Sequence, residues 1–247
     1  MKKEPQNKFS NVYQDTKRAK AYSKLKFDKT YYLAYRDLPA IISNHVQGNN
    51  ALDFGCGTGR STRFLQTLGY KTIGIDISEE MITIARQLDP AGEYHRIDDG
   101  DFSILPFSFF DIILSAFTFD NIPTVEKKIR LFKGLSTLLT QNGTIINLVS
   151  SPEIYTNEWA SFTTKDFPEN ATAKSGDIVR IITTEIADKR PCYDIFWSEE
   201  DYTTVYSKAN LCIIKKHKPL ATGNEPYPWI NETRIAPWTI YVLKKKT

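Results

Sequence analysis

Ala51-Leu52-Asp53-Phe54-Gly55-Cys56-Gly57-Thr58-Gly59-Arg60-Ser61-Thr62-Arg63-Phe64-Leu65 is the stretch on which the fold turns. Residues 51–54 are a short apolar run that reads as a buried strand. Three glycines follow at alternate positions, and residues 60–68 then read as a helix that Gly69 stops. Strand, glycine loop and helix make a nucleotide-binding unit on physical grounds. Glycines let the backbone turn sharply and let a ligand approach main-chain amides at a helix N-terminus. The spacing is G-x-G-x-G. A dinucleotide fingerprint, G-x-G-x-x-G, would place its third small residue at position 60, which is Arg60, so a pyrophosphate pocket is disfavoured. No G-x-x-x-x-G-K-[ST] occurs, which excludes a P-loop nucleotidase.

Outward from this unit, apolar strands alternate with amphipathic helices. Lys71–Ile75 reads as a second strand, ending at Asp76, where a carboxylate can accept from both hydroxyls of a ribose. Ser78 caps the next helix with Glu79 and Glu80 in its first turn. Tyr94–Ile97 and Asp111–Ala116 are predicted strands, Thr124–Leu139 a helix, and Thr144–Val149 a strand entered through an Asn142-Gly143 turn. This alternation predicts an α/β fold with a largely parallel sheet covered on both faces. The pattern changes after residue 150. Asp177–Ile186 and Cys192–Trp197 predict an inserted antiparallel hairpin. A capped helix from Ser198 and two closing strands, Leu211–His217 and Pro237–Leu243, complete the chain. The expected organisation is one domain with four parts: an N-terminal helical lid over 1–47, a cofactor-binding half over 48–150, the inserted substrate-side hairpin over 151–197, and the closing helix and strands over 198–247.

Composition narrows the class. With 41% hydrophobic and 25% charged residues, the 247-residue chain is neither disordered nor collagen-like. Its N-terminus has no apolar h-region, and no run approaches the ~20 apolar residues of a membrane span. Cys56, Cys192 and Cys212 lie far apart, as do His45, His95 and His217. Neither a disulfide framework nor a metal site is expected, and a reducing cytoplasm fits. The net charge of +3 hides an asymmetry: residues 1–29 hold nine basic side chains against three acidic ones, while the remainder is mildly acidic. A basic arm with interleaved aromatics keeps an RNA partner open. A solvated helix face is the plainer reading of such a run.

The motifs, taken in order, resemble the class I S-adenosylmethionine-dependent methyltransferases. Residues 51–59 look like that family's first motif, and Gly74-Ile75-Asp76-Ile77-Ser78 with Met81 like its ribose-binding strand and helix. Gly100-Asp101-Phe102, Leu105-Pro106-Phe107 and Phe110-Asp111 look like the adenine-side loop, and Asn142-Gly143 like the turn before the fifth strand. The resemblance implies a Rossmann-like, doubly wound, mostly parallel seven-stranded sheet with an antiparallel last strand. It also implies S-adenosyl-L-methionine as cofactor. Gly55, Cys56, Gly57 and Gly59 would meet its methionine end with Asp53 near the ammonium. Asp76 would hold the ribose, Ile77 would cover the adenine, Asp101 and Phe102 would border it, and Ser115 would stand near the methyl group.

No residue is assigned a catalytic role, because a methyl sulfonium is already electrophilic and alignment carries most of the work. The sequence Ser115-Ala116-Phe117-Thr118-Phe119 lacks the [DN]-P-P-[YF] run of base-amino methyltransferases, which disfavours nucleobase methylation. The expected acceptor is therefore a small molecule, with an RNA methyltransferase or a non-catalytic cofactor-binding protein as alternatives. Candidate acceptor-side residues are Tyr31, Tyr35, Arg36, Phe117, Tyr155, Trp159, Arg180, Trp197, Trp229 and Glu232. Aromatics of the insertion have an equally good alternative role as its own small core.

Overall fold

The structure is a computed structural model and describes residues 16–246. Residues 1–15, which hold Lys2, Lys3, Lys8, Phe9 and Tyr13 of the basic arm, lie outside the described residues. The described part of the N-terminal helical segment forms three helices, α1 (Thr16–Tyr22), α2 (Thr30–Arg36) and α3 (Leu38–His45). Lys29, in the left-handed region at φ 50°, ends the linker before α2. Pro39 starts a new turn at the head of α3, where its missing amide costs nothing.

The α/β core then runs β1 (Asn50–Phe54), α4 (Arg60–Thr67), β2 (Lys71–Asp76), α5 (Glu79–Leu88), β3 (Glu93–Arg96), β4 (Phe110–Ala116), α6 (Val125–Leu138) and β5 (Leu139–Ser150). An insertion carries β6 (Phe162–Thr163), β7 (Ile178–Thr183) and β8 (Cys192–Ile195). The chain closes with α7 (Glu199–Lys208), β9 (Leu211–His217) and β10 (Trp238–Lys245). The main sheet has seven strands in the order β3-β2-β1-β4-β5-β10-β9. The pairs among β1 to β5 are parallel, and β10 is antiparallel to both β5 and β9. The parallel strands are those that the strand–helix alternation predicts, and the seven-stranded order with β10 antiparallel is the Rossmann-like arrangement that the resemblance implies.

Alternate residues of each strand feed opposite layers. Ile112 and Leu114 join α2, α3, α4 and the insertion on one face, whereas Ile113 joins α6 and α7 on the other. One boundary departs from expectation. β5 begins at Leu139 and runs through Asn142-Gly143, which is not a separate turn. Its pairing with β4 shifts register between Phe110 and Ile112. A Cβ on Gly143 would stand 2.9 Å from the Phe110 carbonyl, so the glycine serves this close strand approach. The predicted hairpin is present as β7–β8 and gains β6 as a third antiparallel strand.

Candidate active site

The order of the sheet reverses beside β1, between the chains of β2 and β4, and there the glycine loop opens a cavity of about 340 Å³. Gly55 and Gly57 have φ of 71° and 53°, a region that side chains disfavour. The amides of Gly55 and Cys56 donate to the Ile75 carbonyl and tie the loop to β2. The amide of Gly57 donates to Asp76 Oδ2 at 2.9 Å, and that of Ser78 to Asp76 Oδ1 at 2.9 Å. Ser78 in turn caps α5 by accepting from Met81. Burial raises the Asp76 carboxyl above its ordinary value, against the pull of these backbone amides. A Cβ on Gly57 would meet only Met81 Sδ, at 4.0 Å, so this side of the loop is open to the cavity.

Gly55, Cys56, Gly57, Asp76, Ile77, Tyr35 and Phe117 come together on the cavity wall. Asp53 does not line it. Fully buried behind the wall, it accepts from the hydroxyls of Ser61 and Thr62 at 2.7 Å, and Ser61 is the residue that reaches the cavity. Asp53 Oδ1 has no hydrogen-bond partner, and burial pushes this carboxyl up to about 6. Gly59 forms the N-cap of α4 off the wall. Asp101 turns outward to the Ser103 amide, which holds its carboxyl below the usual range; Asp99 and Gly100 stand on the wall instead. Phe102 packs inward against Phe54. Ser115 is fully buried, with Ala116 and Phe117 facing the cavity in its place.

The acceptor-side candidates divide. Tyr35 lines the cavity, and Tyr31 and Phe117 line a smaller chamber behind it that also holds Asp120 and Asp194. Phe117 belongs to both spaces and has φ 65°, a strained backbone for an aromatic residue at the partition. The rest are structural contacts. Arg36 pairs with Asp37 and Glu225, and the Trp229 indole donates to Glu225. Trp159 is 1% exposed and donates to the Ile154 carbonyl. Arg180 pairs with Glu169 over the Phe167 ring. Trp197 donates to the Ile122 carbonyl beside Lys128, and the Tyr155 hydroxyl donates to Asp194. Glu232 is a buried clamp that accepts from four groups.

The sequence reading passed over Arg60 except as a mismatch to the dinucleotide fingerprint. It sits on the cavity wall beneath the rings of Tyr31, Phe27, Tyr22 and Tyr35, with its guanidinium carbon 4.8–5.9 Å from their centroids. The tyrosine-rich helices are thereby held over the glycine loop by cation–π contacts. Arg18, one of the nine basic residues of the N-terminal run, is buried and donates to the Arg190 and Pro191 carbonyls and to Cys192 Sγ.

Residues 52–147 match the profile of a protein family described as a methyltransferase domain. An uncharacterized methyltransferase of Bacillus mycoides is 34% identical over 119 residues, 48% of this chain and 54% of that protein. One from Alkaliphilus oremlandii is 28% identical over 141 residues, 57% of this chain and 63% of its own length. The chain thus spans little more than half the length of these relatives. Among solved structures, an S-adenosylmethionine-dependent methyltransferase from Clostridium acetobutylicum superposes with a TM-score of 0.63 at 17% identity, covering 96% of this chain and 100% of that one. The CcbJ methyltransferase from Streptomyces caelestis does so with 0.66 at 14%, covering 96% and 99%. These two likenesses concern the fold. Residues 52–147 thus match a methyltransferase domain, set in a fold that S-adenosylmethionine-dependent methyltransferases share.

Proposed function

We propose that the chain transfers the methyl group of S-adenosyl-L-methionine to a small-molecule acceptor, with catalysis mainly by alignment. The observation that carries this reading is the pairing of a glycine-loop cleft with a small adjoining pocket that shares Phe117 with it. The residues present fit the cofactor. Asp76 offers a carboxylate for ribose hydroxyls at the end of β2, and Ile77, 41% exposed at the cavity, offers an apolar cover for adenine. Asp99, held by Lys127 at 2.6 Å, borders the adenine side. The unpartnered Oδ1 of Asp53 is a buried negative charge one layer from the wall, suited to an ammonium group. When bound, S-adenosylmethionine supplies an electrophilic methyl on a sulfonium sulfur. Arg60 and the tyrosines above it would close the cleft and exclude water. A small acceptor is supported by the inward burial of Arg18 and by a chamber that admits only a few atoms.

Calorimetric titration with S-adenosylhomocysteine tests the cofactor assignment. Asp76→Ala removes the charged acceptor of the ribose hydroxyls, and hydrogen bonds to charged groups contribute ~1.5–3 kcal/mol. Affinity should fall roughly ten- to over a hundredfold. An unchanged affinity would remove Asp76 from the site.

A further inference from the structure

The chamber behind Phe117 has a volume of about 40 Å³, room for roughly three water-sized groups. It shares Tyr22, Phe117 and Asn121 with the cofactor cleft, so a group seated in it abuts that cleft. Two carboxylates line it, Asp120 and Asp194, and among the described residues no lysine or arginine does. Aromatic rings of Phe117, Phe162 and Trp238 supply much of the remaining wall. The acids and the ring faces attract a cation by two independent means, opposed by the Arg18 guanidinium that donates to the wall residue Cys192.

The two acids differ in what they already hold. Asp120 accepts the Ser150 amide and hydroxyl, at 3.1 and 2.9 Å. The Lys128 ammonium, anchored on the Phe119 carbonyl outside the chamber, acts on Asp120 through its charge. Asp194, on the chamber wall, accepts the Tyr155 hydroxyl at 3.2 Å on Oδ2. Burial and repulsion from Asp120 raise the Asp194 carboxyl to about 7, against the opposing pull of Tyr155 and Arg18. Arg60 stands over the Tyr22 and Tyr31 rings but lines the cleft, not the chamber.

We infer that the chamber receives the amino end of the acceptor, a small aliphatic amine that arrives protonated, and that Asp194 accepts its proton. This rests on the methyl-transfer reading above and names the acceptor class for the same site. In the step, one N–H bond of the ammonium breaks and its proton bonds to an Asp194 carboxylate oxygen. The bonding pair stays on nitrogen as the lone pair that a nucleophile needs. The positive and negative charges cancel, so the chamber gains no net charge. A carboxyl titrating near neutrality is matched to this task.

The test is calorimetry on the S-adenosylhomocysteine-saturated protein at pH 7. Ethylammonium chloride and ethanol, of equal heavy-atom count, are titrated in two buffers of different ionisation enthalpy. Ethylammonium should bind with net release of protons, because a neighbouring cation lowers a carboxyl that burial and Asp120 have raised. Ethanol should give no binding. Asp194→Asn, which retains an oxygen for Tyr155, should weaken ethylammonium at least tenfold and abolish the proton release. Its affinity for S-adenosylhomocysteine should stay within twofold. Equal binding of ethanol, indifference to Asp194→Asn, or no amine binding to the saturated protein overturns the inference. Failure of S-adenosylhomocysteine itself to bind overturns the cofactor reading beneath it.

Discussion

Glu232→Ala should lower the melting temperature by about 10 °C or more. Glu232 lies in the connection between β9 and β10 and is 0% exposed. One carboxylate oxygen accepts the Thr30 hydroxyl at 2.7 Å and the Ala160 amide at 2.7 Å. The other accepts the amides of Ile230 and Asn231 at 2.9 and 3.1 Å. One side chain thus joins the head of α2, the insertion and the closing loop. Alanine would leave these donors without acceptors in a dry site, at ~1–3 kcal/mol for each group stranded. Even with partial relaxation the loss is about 4 kcal/mol, and a chain of this size loses ~2–4 °C per kcal/mol. Glu232→Gln should fall between, since its amide keeps one oxygen but opposes two backbone donors with an NH2 group. A shift under about 3 °C for the alanine variant, read by thermal unfolding, would show that Glu232 is not the clamp described.

The opposite sign is expected at Asp53. Burial raises its carboxyl to about 6, with the Ser61 and Thr62 hydroxyls only partly offsetting the lost hydration. Below pH ~4 the folded and unfolded chains both carry the proton, and Asp53→Asn should change stability little. Between pH ~4 and 6 the folded protein retains a proton that the unfolded chain has lost, so wild-type stability declines through this window. Above pH 6 the folded protein bears a buried charge, and Asp53→Asn should be more stable by about 2–3 kcal/mol. The same variant should bind S-adenosylhomocysteine more weakly, because the charge that destabilises the empty protein attracts the ligand's ammonium. Chemical unfolding at pH 5 and pH 8 reads the first effect. A stability difference that does not grow with pH would show that Asp53 is not held as a strained carboxylate.

These two residues also show what the sequence discloses. Asp53, the glycine loop and Asp76 are legible because strand, turn and strand lie within a few dozen residues and each signal is local. The buried strands announce themselves by unbroken apolar runs, and the alternation with capped helices specifies a parallel sheet. Glu232 is not legible, since its partners at Thr30 and Ala160 are brought to it only by the closing of the sheet. Asp101 fails for another reason. Asp98, Asp99 and Asp101 are equivalent as sequence, and it is the left-handed turn at Gly100, φ 78°, that accompanies Asp99 to the wall and Asp101 to solvent. Arg60 needed the tyrosines of α2 overhead before its role could be seen. Asp120 and Asp194, which share one chamber, are separated by α6, β5 and most of the insertion.

The central claim is methyl transfer to a small molecule, and following the label tests it most directly. The protein is incubated with methyl-tritiated S-adenosylmethionine and, separately, with the low-mass, RNA and protein fractions of a bacterial extract. The account predicts protein-dependent label in the low-mass fraction, in a species that is retained on a cation exchanger, and none above background in RNA or protein. Label confined to RNA or to protein, or no transfer in any fraction by protein that binds S-adenosylhomocysteine, would contradict it.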